Sequence, residues 1–233
     1  MNRLMKFGLT AICLALVFNV FAVTETKAQL VLNDILNRMD NNYKSLSSLN
    51  SNLKMVKHNP QLGVSDTYEG TVKFLPKTEK QLMYARIDWA KPMVENIAII
   101  GDTYKLYRPK LGQAIAGKVS SVQKGNKVPG GTLAFLSMSK KQMKENYIVS
   151  YVGQEQVAGG TLTWHLRLTP KTPTSYKMAD LWVDKDGMPI QSTVTENNSE
   201  TTTIHLSGFT KNATISAKVF KLDIPKNVKI VQG

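Results

Sequence analysis

Apolar residues first recur at three- and four-residue spacing. Leu32, Ile35, Leu36, Met39, Tyr43 and Leu46 predict one amphipathic helix over about 30–47, ended by the serine-rich stretch Ser45 to Ser51. The period then changes to two. Residues 52–57 and 67–75 read as strands joined across Pro60 and Gly63. The stretch 81–90 alternates, with Met83, Ala85, Ile87 and Trp89 on one face and Leu82, Tyr84, Arg86 and Asp88 on the other. Glu95–Ile100 and Thr103–Arg108 flank Gly101-Asp102 as a hairpin, stopped by Pro109.

Residues 110–130 scatter five glycines and prolines among lysines and predict a mobile stretch, followed by a short, very apolar helix from Thr132 towards Lys144. Strands resume over 148–152, 162–168, 178–183, 189–196 and 200–207, with the turn Asp184-Lys-Asp-Gly187 between two of them. A helical turn is expected within 209–219 and a last strand over 220–224, before Pro225. Hairpin-ordered strands with about three helical pieces give an α+β layout.

The chain opens on Arg3 and Lys6, runs through an apolar stretch from Phe7 to about Val23, and leaves it with the small residues Thr26 and Ala28. That is the three-part pattern of a secretory signal, so residues 1–28 are expected to be cleaved after Ala28, leaving 29–233 as a single domain. An uncleaved anchor is the alternative. The 30 Lys and Arg against 17 Asp and Glu give +13; losing Arg3, Lys6 and Lys27 with Glu25 leaves +11. Cys13, the only cysteine, leaves as well, which excludes disulfides and cysteine-built metal sites from the exported chain. Nucleic acid recedes as a partner outside the cytoplasm. An anionic membrane or an acidic protein fits the charge better.

Catalytic motifs are weak throughout. Gly112-Gln-Ala-Ile-Ala-Gly117-Lys118 nearly spells a phosphate-binding loop, but Val119 stands where Ser or Thr should hold Mg²⁺. Ser137-Met-Ser-Lys140 matches the S-x-x-K of penicillin-recognising enzymes without its partner elements. Asp184 and Asp186 open no calcium loop, because the ligands further on are missing. His165 and His205 fall on polar strand faces, and two histidines alone do not make a zinc site; His58 reads as a turn residue. No enzyme activity, cofactor or metal is expected.

Apolar faces are the better lead. To the 81–90 face are added Leu162, Trp164, Leu166 and Leu168, then Met178 and Trp182, then the 132–138 helix. These either fill a plain core or line a cavity for an apolar ligand, and periodicity does not separate the two.

Several ordered segments resemble the periplasmic outer-membrane lipoprotein carrier family (LolA-type). They are Tyr68-Glu-Gly-Thr-Val-Lys-Phe, Tyr84-Ala-Arg-Ile-Asp-Trp-Ala-Lys-Pro92, Glu95 through Pro109, His165-Leu-Arg-Leu-Thr-Pro-Lys171, Leu181-Trp-Val-Asp-Lys-Asp-Gly187 and Phe220 through Ile230. The resemblance implies an incomplete, strongly curved antiparallel β-barrel lidded by about three helices. It implies a monomeric periplasmic carrier that shields the acyl chains of lipoproteins, taking them from an inner-membrane ABC transporter to an outer-membrane acceptor. Such shielding matters because each buried CH₂ is worth about 0.8 kcal/mol. Carried over, Met83, Ile87, Trp89, Ile97 and Ile99 line the cavity, and Leu133, Phe135, Leu136 and Met138 form the lid. Where the family has a latch arginine before the aromatic strand, this chain has Lys77 and Lys80, which lack the planar fork. A lipid-binding or lipid-sensing protein of the same fold, membrane-anchored or not, is the alternative.

Overall fold

The computed structural model describes residues 28–119 and 138–233. The signal segment, except Ala28, and the expected lid residues Leu133, Phe135 and Leu136 lie outside the described residues. Among the described residues no helix is long and apolar enough to cross a membrane.

The first helix, α1, spans 28–45, and its stripe of Leu32, Ile35, Leu36 and Met39 is buried. Its end is tied down by Asn212, whose Oδ1 accepts from the Ser47 amide at 2.8 Å. Twelve strands follow: β1 (Leu49–Asn59), β2 (Val64–Leu75), β3 (Tyr84–Lys91), β4 (Glu95–Ile100), β5 (Thr103–Arg108), β6 (Gln113–Lys118), β7 (Tyr147–Gln156), β8 (Leu162–Pro170), β9 (Tyr176–Val183), β10 (Pro189–Glu196), β11 (Thr201–Lys211) and β12 (Ile230–Gln232). They form one curved, unclosed sheet in the order β12-β6-β5-β4-β3-β2-β1-β11-β10-β9-β8-β7. Every pairing is antiparallel except β12 on β6. A second helix, α2 (Lys140–Asn146), starts at Ser139, which forms a capping box with Gln142.

One face of this sheet carries most of the buried apolar side chains. Register links Leu53 to Leu206 and Met55 to Ile204 across β1 and β11, then Ile204 to Ser192, Ser192 to Leu181, Leu181 to Leu166 and Leu166 to Tyr151. Because side chains alternate strictly along a strand, opposite partners share a face all the way from β1 to β7. Helix α1 lies on the β7–β9 half of it. Its stripe joins Met143, Leu166, Leu168, Ala179, Leu181 and Val183 in one buried cluster.

Four expectations are corrected. Residues 113–118 are not loose: they form β6, paired with β5 on one side and β12 on the other. The expected strand over 220–224 is absent; Phe220 closes a 3-10 turn (Ala217–Phe220), and the last strand is β12. Met178 and Trp182 do not share a face with Trp164, Leu166 and Leu168, since Trp182 pairs with His165 whereas Leu181 pairs with Leu166. Leu162, expected on the inner face, is 55% exposed.

The opposite, outer face of β3 and β4 is covered by the chain's last segment. The fully buried Phe220 packs with its ring centroid 5.3 Å from that of Tyr84. Arg86 pins the segment there, donating from Nη1 to the Val219 carbonyl at 2.7 Å and from Nε to Asp88 at 2.9 Å. At the other side of the molecule, Gly187 in the β9–β10 turn has φ +82, and a Cβ there would collide with the Arg38 backbone of α1. Only glycine lets the turn and the helix touch at that point.

Two substitutions test these attachments. Phe220→Ala should cost about 3–5 kcal/mol, as for other buried aromatics cut to alanine. Gly187→Ala should lower the denaturation midpoint and loosen α1, read as faster amide exchange over 32–39. A wild-type midpoint in either variant would show that its contact is dispensable.

Candidate functional site

On β1–β6 the inner face resolves into rows that cross the strands. One row reads Leu49, Phe74, Ala85, Ile99, Tyr104 and Gly117; the next reads Ser51, Val72, Ile87, Ile97, Leu106 and Ile115. A third runs Leu53, Gly70, Trp89, Glu95, Arg108 and Gln113. The first two rows are apolar except at Ser51, whose hydroxyl is spent on the Ser207 carbonyl at 2.7 Å. The third turns polar half-way along. Gly70 lets β2 and β3 approach closely there: a Cβ on it would strike the Asp88 carbonyl and the Trp89 backbone. Tyr68 stands edge-on to Trp89, with ring centroids 5.8 Å apart.

Of the five cavity positions expected from the sequence, Ile87, Trp89, Ile97 and Ile99 are buried together on this face. Met83 precedes β3, is half-buried, and packs against the same cluster. Met138 packs elsewhere, against the cluster under α1. Lys77 and Lys80 are exposed in the connection between β2 and β3. Sequence reasoning missed Val72, Phe74, Tyr104, Leu106 and Ile115 as members of the same surface. The alternation of Tyr104 and Leu106, folded back through the Gly101 turn, was the available signal for two of them.

The candidate catalytic motifs have other roles. Gln113–Lys118 is strand β6 rather than a phosphate loop, and Gly112 ends the 3-10 turn before it. Ser139 is a helix cap, and Lys140 Nζ donates to Asn37 Oδ1 of α1 at 2.5 Å. Asp184 closes its turn by accepting from the Asp186 and Met188 amides at 2.9 and 2.8 Å. No group of three or more metal-binding side chains occurs among the described residues.

The model of one family, described as "Outer membrane lipoprotein carrier protein LolA", matches residues 80–223, more than half of the chain. The chain belongs to the LolA family. No curated protein matches it by sequence. Among solved structures, an uncharacterized conserved protein from Thermus thermophilus is 12% identical with a TM-score of 0.53, the match covering 87% of this chain and 99% of that one. A LolA superfamily protein from Nitrosomonas europaea is 16% identical, covering 82% and 97%, with a TM-score of 0.43. The lipoprotein LppX of Mycobacterium tuberculosis is 12% identical, covering 80% and 97%, with a TM-score of 0.46. At such identities the likeness concerns the fold.

The segment matching LolA begins just ahead of β3 and so contains the greater part of each row on β3–β6. It also contains both strand histidines, which lie on the outer face of this LolA-family sheet. They are separated by β9 and β10, roughly 14 Å at the usual strand spacing, so they form no metal pair. His165 is not on a solvated face, as alternation suggested. It is 8% exposed, stacked on Trp182, and held between Glu155 at 2.5 Å and Asp180 at 2.7 Å. Arg167 also reaches Asp180, at 2.9 Å, so the buried carboxylate is held from two sides, by the imidazole and by the guanidinium.

His205 has no such neighbours: its Nδ1 is buried without a partner. Burial first, and Lys54 second, hold its pKa below the ordinary 6.5. Above pH 6.5 folded and unfolded chains both keep it neutral, and it costs nothing. As the pH falls below that value the unfolded chain takes the proton first, so stability drops until the folded-state value is passed. His205→Gln should therefore flatten part of the fall in urea midpoint between pH 7 and pH 5. An unchanged slope would assign that fall to other groups.

Proposed function

We propose that this LolA-family chain is an exported, monomeric and non-enzymatic carrier that holds the acyl chains of lipoproteins against the inner face of β1–β6. It takes them from an inner-membrane ABC transporter and delivers them to an acceptor at the outer membrane. The observation that carries the reading is the pair of apolar rows from Leu49 to Gly117 and from Ser51 to Ile115, about six strands wide. At roughly 4.8 Å per strand they span about 24 Å, the scale of an extended acyl chain. The family match supports the reading, and so does the first stretch of sequence, with its basic start, apolar centre and small-residue exit.

A carrier must also let go. Tyr68, Met83, Leu106 and Ile115 are only half-buried against the inner cluster, so part of that surface remains open to a ligand. Methionine suits such a wall, because its unbranched chain repacks at little cost. The +11 charge of the exported chain serves encounter rather than holding: it guides the protein to anionic membranes or acidic partners, while apolar burial retains the cargo.

Depleting the protein and fractionating the membranes tests the carrier role. Outer-membrane lipoproteins should accumulate at the inner membrane; normal sorting under depletion refutes the proposal. Acyl binding is tested by Leu106→Glu, which places a carboxylate in the second row, next to its β6 end. A fluorescent fatty-acid probe should bind this variant at least tenfold more weakly while its thermal midpoint stays within a few degrees of wild type. Unchanged probe affinity would remove the inner face as the binding surface.

A further inference from the structure

The third row is the place where the inner face stops being apolar. Arg108 Nε donates to Glu95 Oε2 at 2.6 Å, and its Nη1 donates to Gln113 Oε1 at 3.3 Å. Side-chain exposure is 31% for Arg108 and 18% for Glu95, so the pair is largely withdrawn from water yet still reachable. It faces inward, on the same side as Trp89 and Leu106. Arg86 and Asp88 face outward and hold the 3-10 turn; Lys91 and Glu69 face outward beside Lys54. His165, Arg167 and Asp180 face outward as well.

Removing both charges from water for structure alone is poorly repaid, because apolar residues in their place would pack equally well. Yet the pair sits at the end of an acyl-sized surface. Ile97, Leu106 and Ile115 lie two residues along from Glu95, Arg108 and Gln113, about 7 Å away. Trp89 lies beside Glu95 in the same row.

We infer that Glu95 and Arg108 read the head group of a zwitterionic acyl lipid. Glu95 takes its ammonium group, and Arg108 takes its phosphate. The acyl chain then continues over Ile97, Leu106 and Ile115. The fork of Arg108 offers paired donors of the kind that suit a phosphate, and Gln113 steadies the guanidinium from its other side. The pair itself is neutral, which decides the ligand class. An anion alone would win Arg108 but meet Glu95, whereas a zwitterion replaces each partner of the internal ion pair with one of its own charges. This rests on the acyl-binding reading above and adds a second ligand class, a free zwitterionic phospholipid, to the lipoproteins proposed for the same surface.

The test displaces a fluorescent apolar probe from the purified exported protein with three palmitoyl amphiphiles, each kept below its micellar concentration. They are lysophosphatidylethanolamine, lysophosphatidylglycerol and monopalmitoylglycerol. Wild type should prefer the ethanolamine lipid to the glycerol phospholipid about tenfold, the size of one lost charge-assisted contact. Glu95→Gln, nearly the same shape, should abolish that preference. Arg108→Gln should weaken both phospholipids about tenfold and leave monopalmitoylglycerol unchanged, which also reports that the face is intact. Equal affinity of wild type for the two phospholipids, or an unchanged preference in Glu95→Gln, overturns the inference while leaving acyl binding in place. If wild type binds none of the three, including the neutral lipid, acyl binding itself has failed.

Discussion

A sheet that does not close on itself must cover its apolar face with something else, and that requirement shapes the whole molecule. The strands put most of their buried aliphatic and aromatic residues on one side, from Tyr151 near one edge to Ile115 near the other. The β7–β9 half is covered by α1, seated through Leu32, Ile35, Leu36 and Met39, held just past its C-terminal end by Asn212 and at mid-length by the backbone contact with Gly187. The outer side needs less cover. There the chain's last segment supplies one buried aromatic, and mutually paired charges do the rest.

The two halves of the inner face therefore serve different ends. Under α1 the side chains are almost completely buried, and the surface works as a core. Across β1–β6 several members of the cluster stay half-buried, and the last row ends in an ion pair rather than in another isoleucine. A surface built only for stability would gain by replacing that pair with hydrocarbon. A surface built for an amphiphile needs a wet end and a dry end, and the row order provides them.

How much of this was legible depended on whether periodicity met a competing signal. Ala85, Ile87 and Trp89 alternate with charged or large polar neighbours, and their face was read correctly. β6 was hidden because Gly112 and Gly117 bracket it, and glycine content reads as loop. Yet Gly112 only ends a 3-10 turn, and Gly117 makes room for the Tyr104 ring. On β9 both faces carry apolar residues. The weight of Trp182 pointed to the wrong one, although Asp180 between Met178 and Trp182 marked it as the outer face. For His165 the face was right and the environment was not, since alternation says nothing about partners from the neighbouring strands. The inward pair of Glu95 and Arg108 stands thirteen residues apart in the chain and becomes visible only when β4 and β5 are laid in register.

Register also shows how the halves are joined. Strands β1 to β6 form one run of sequence neighbours and β7 to β11 another, and they meet along a single seam, β1 against β11. Within each run contacts are local, so each can assemble without waiting for the other. The seam joins residues about 150 positions apart and carries the slow, entropically costly step of bringing distant chain segments together. The inner face becomes continuous only when Leu53 meets Leu206, whereas the rows proposed to hold a ligand lie wholly within the β1–β6 run, so local pairing builds them and the seam joins them to the core under α1.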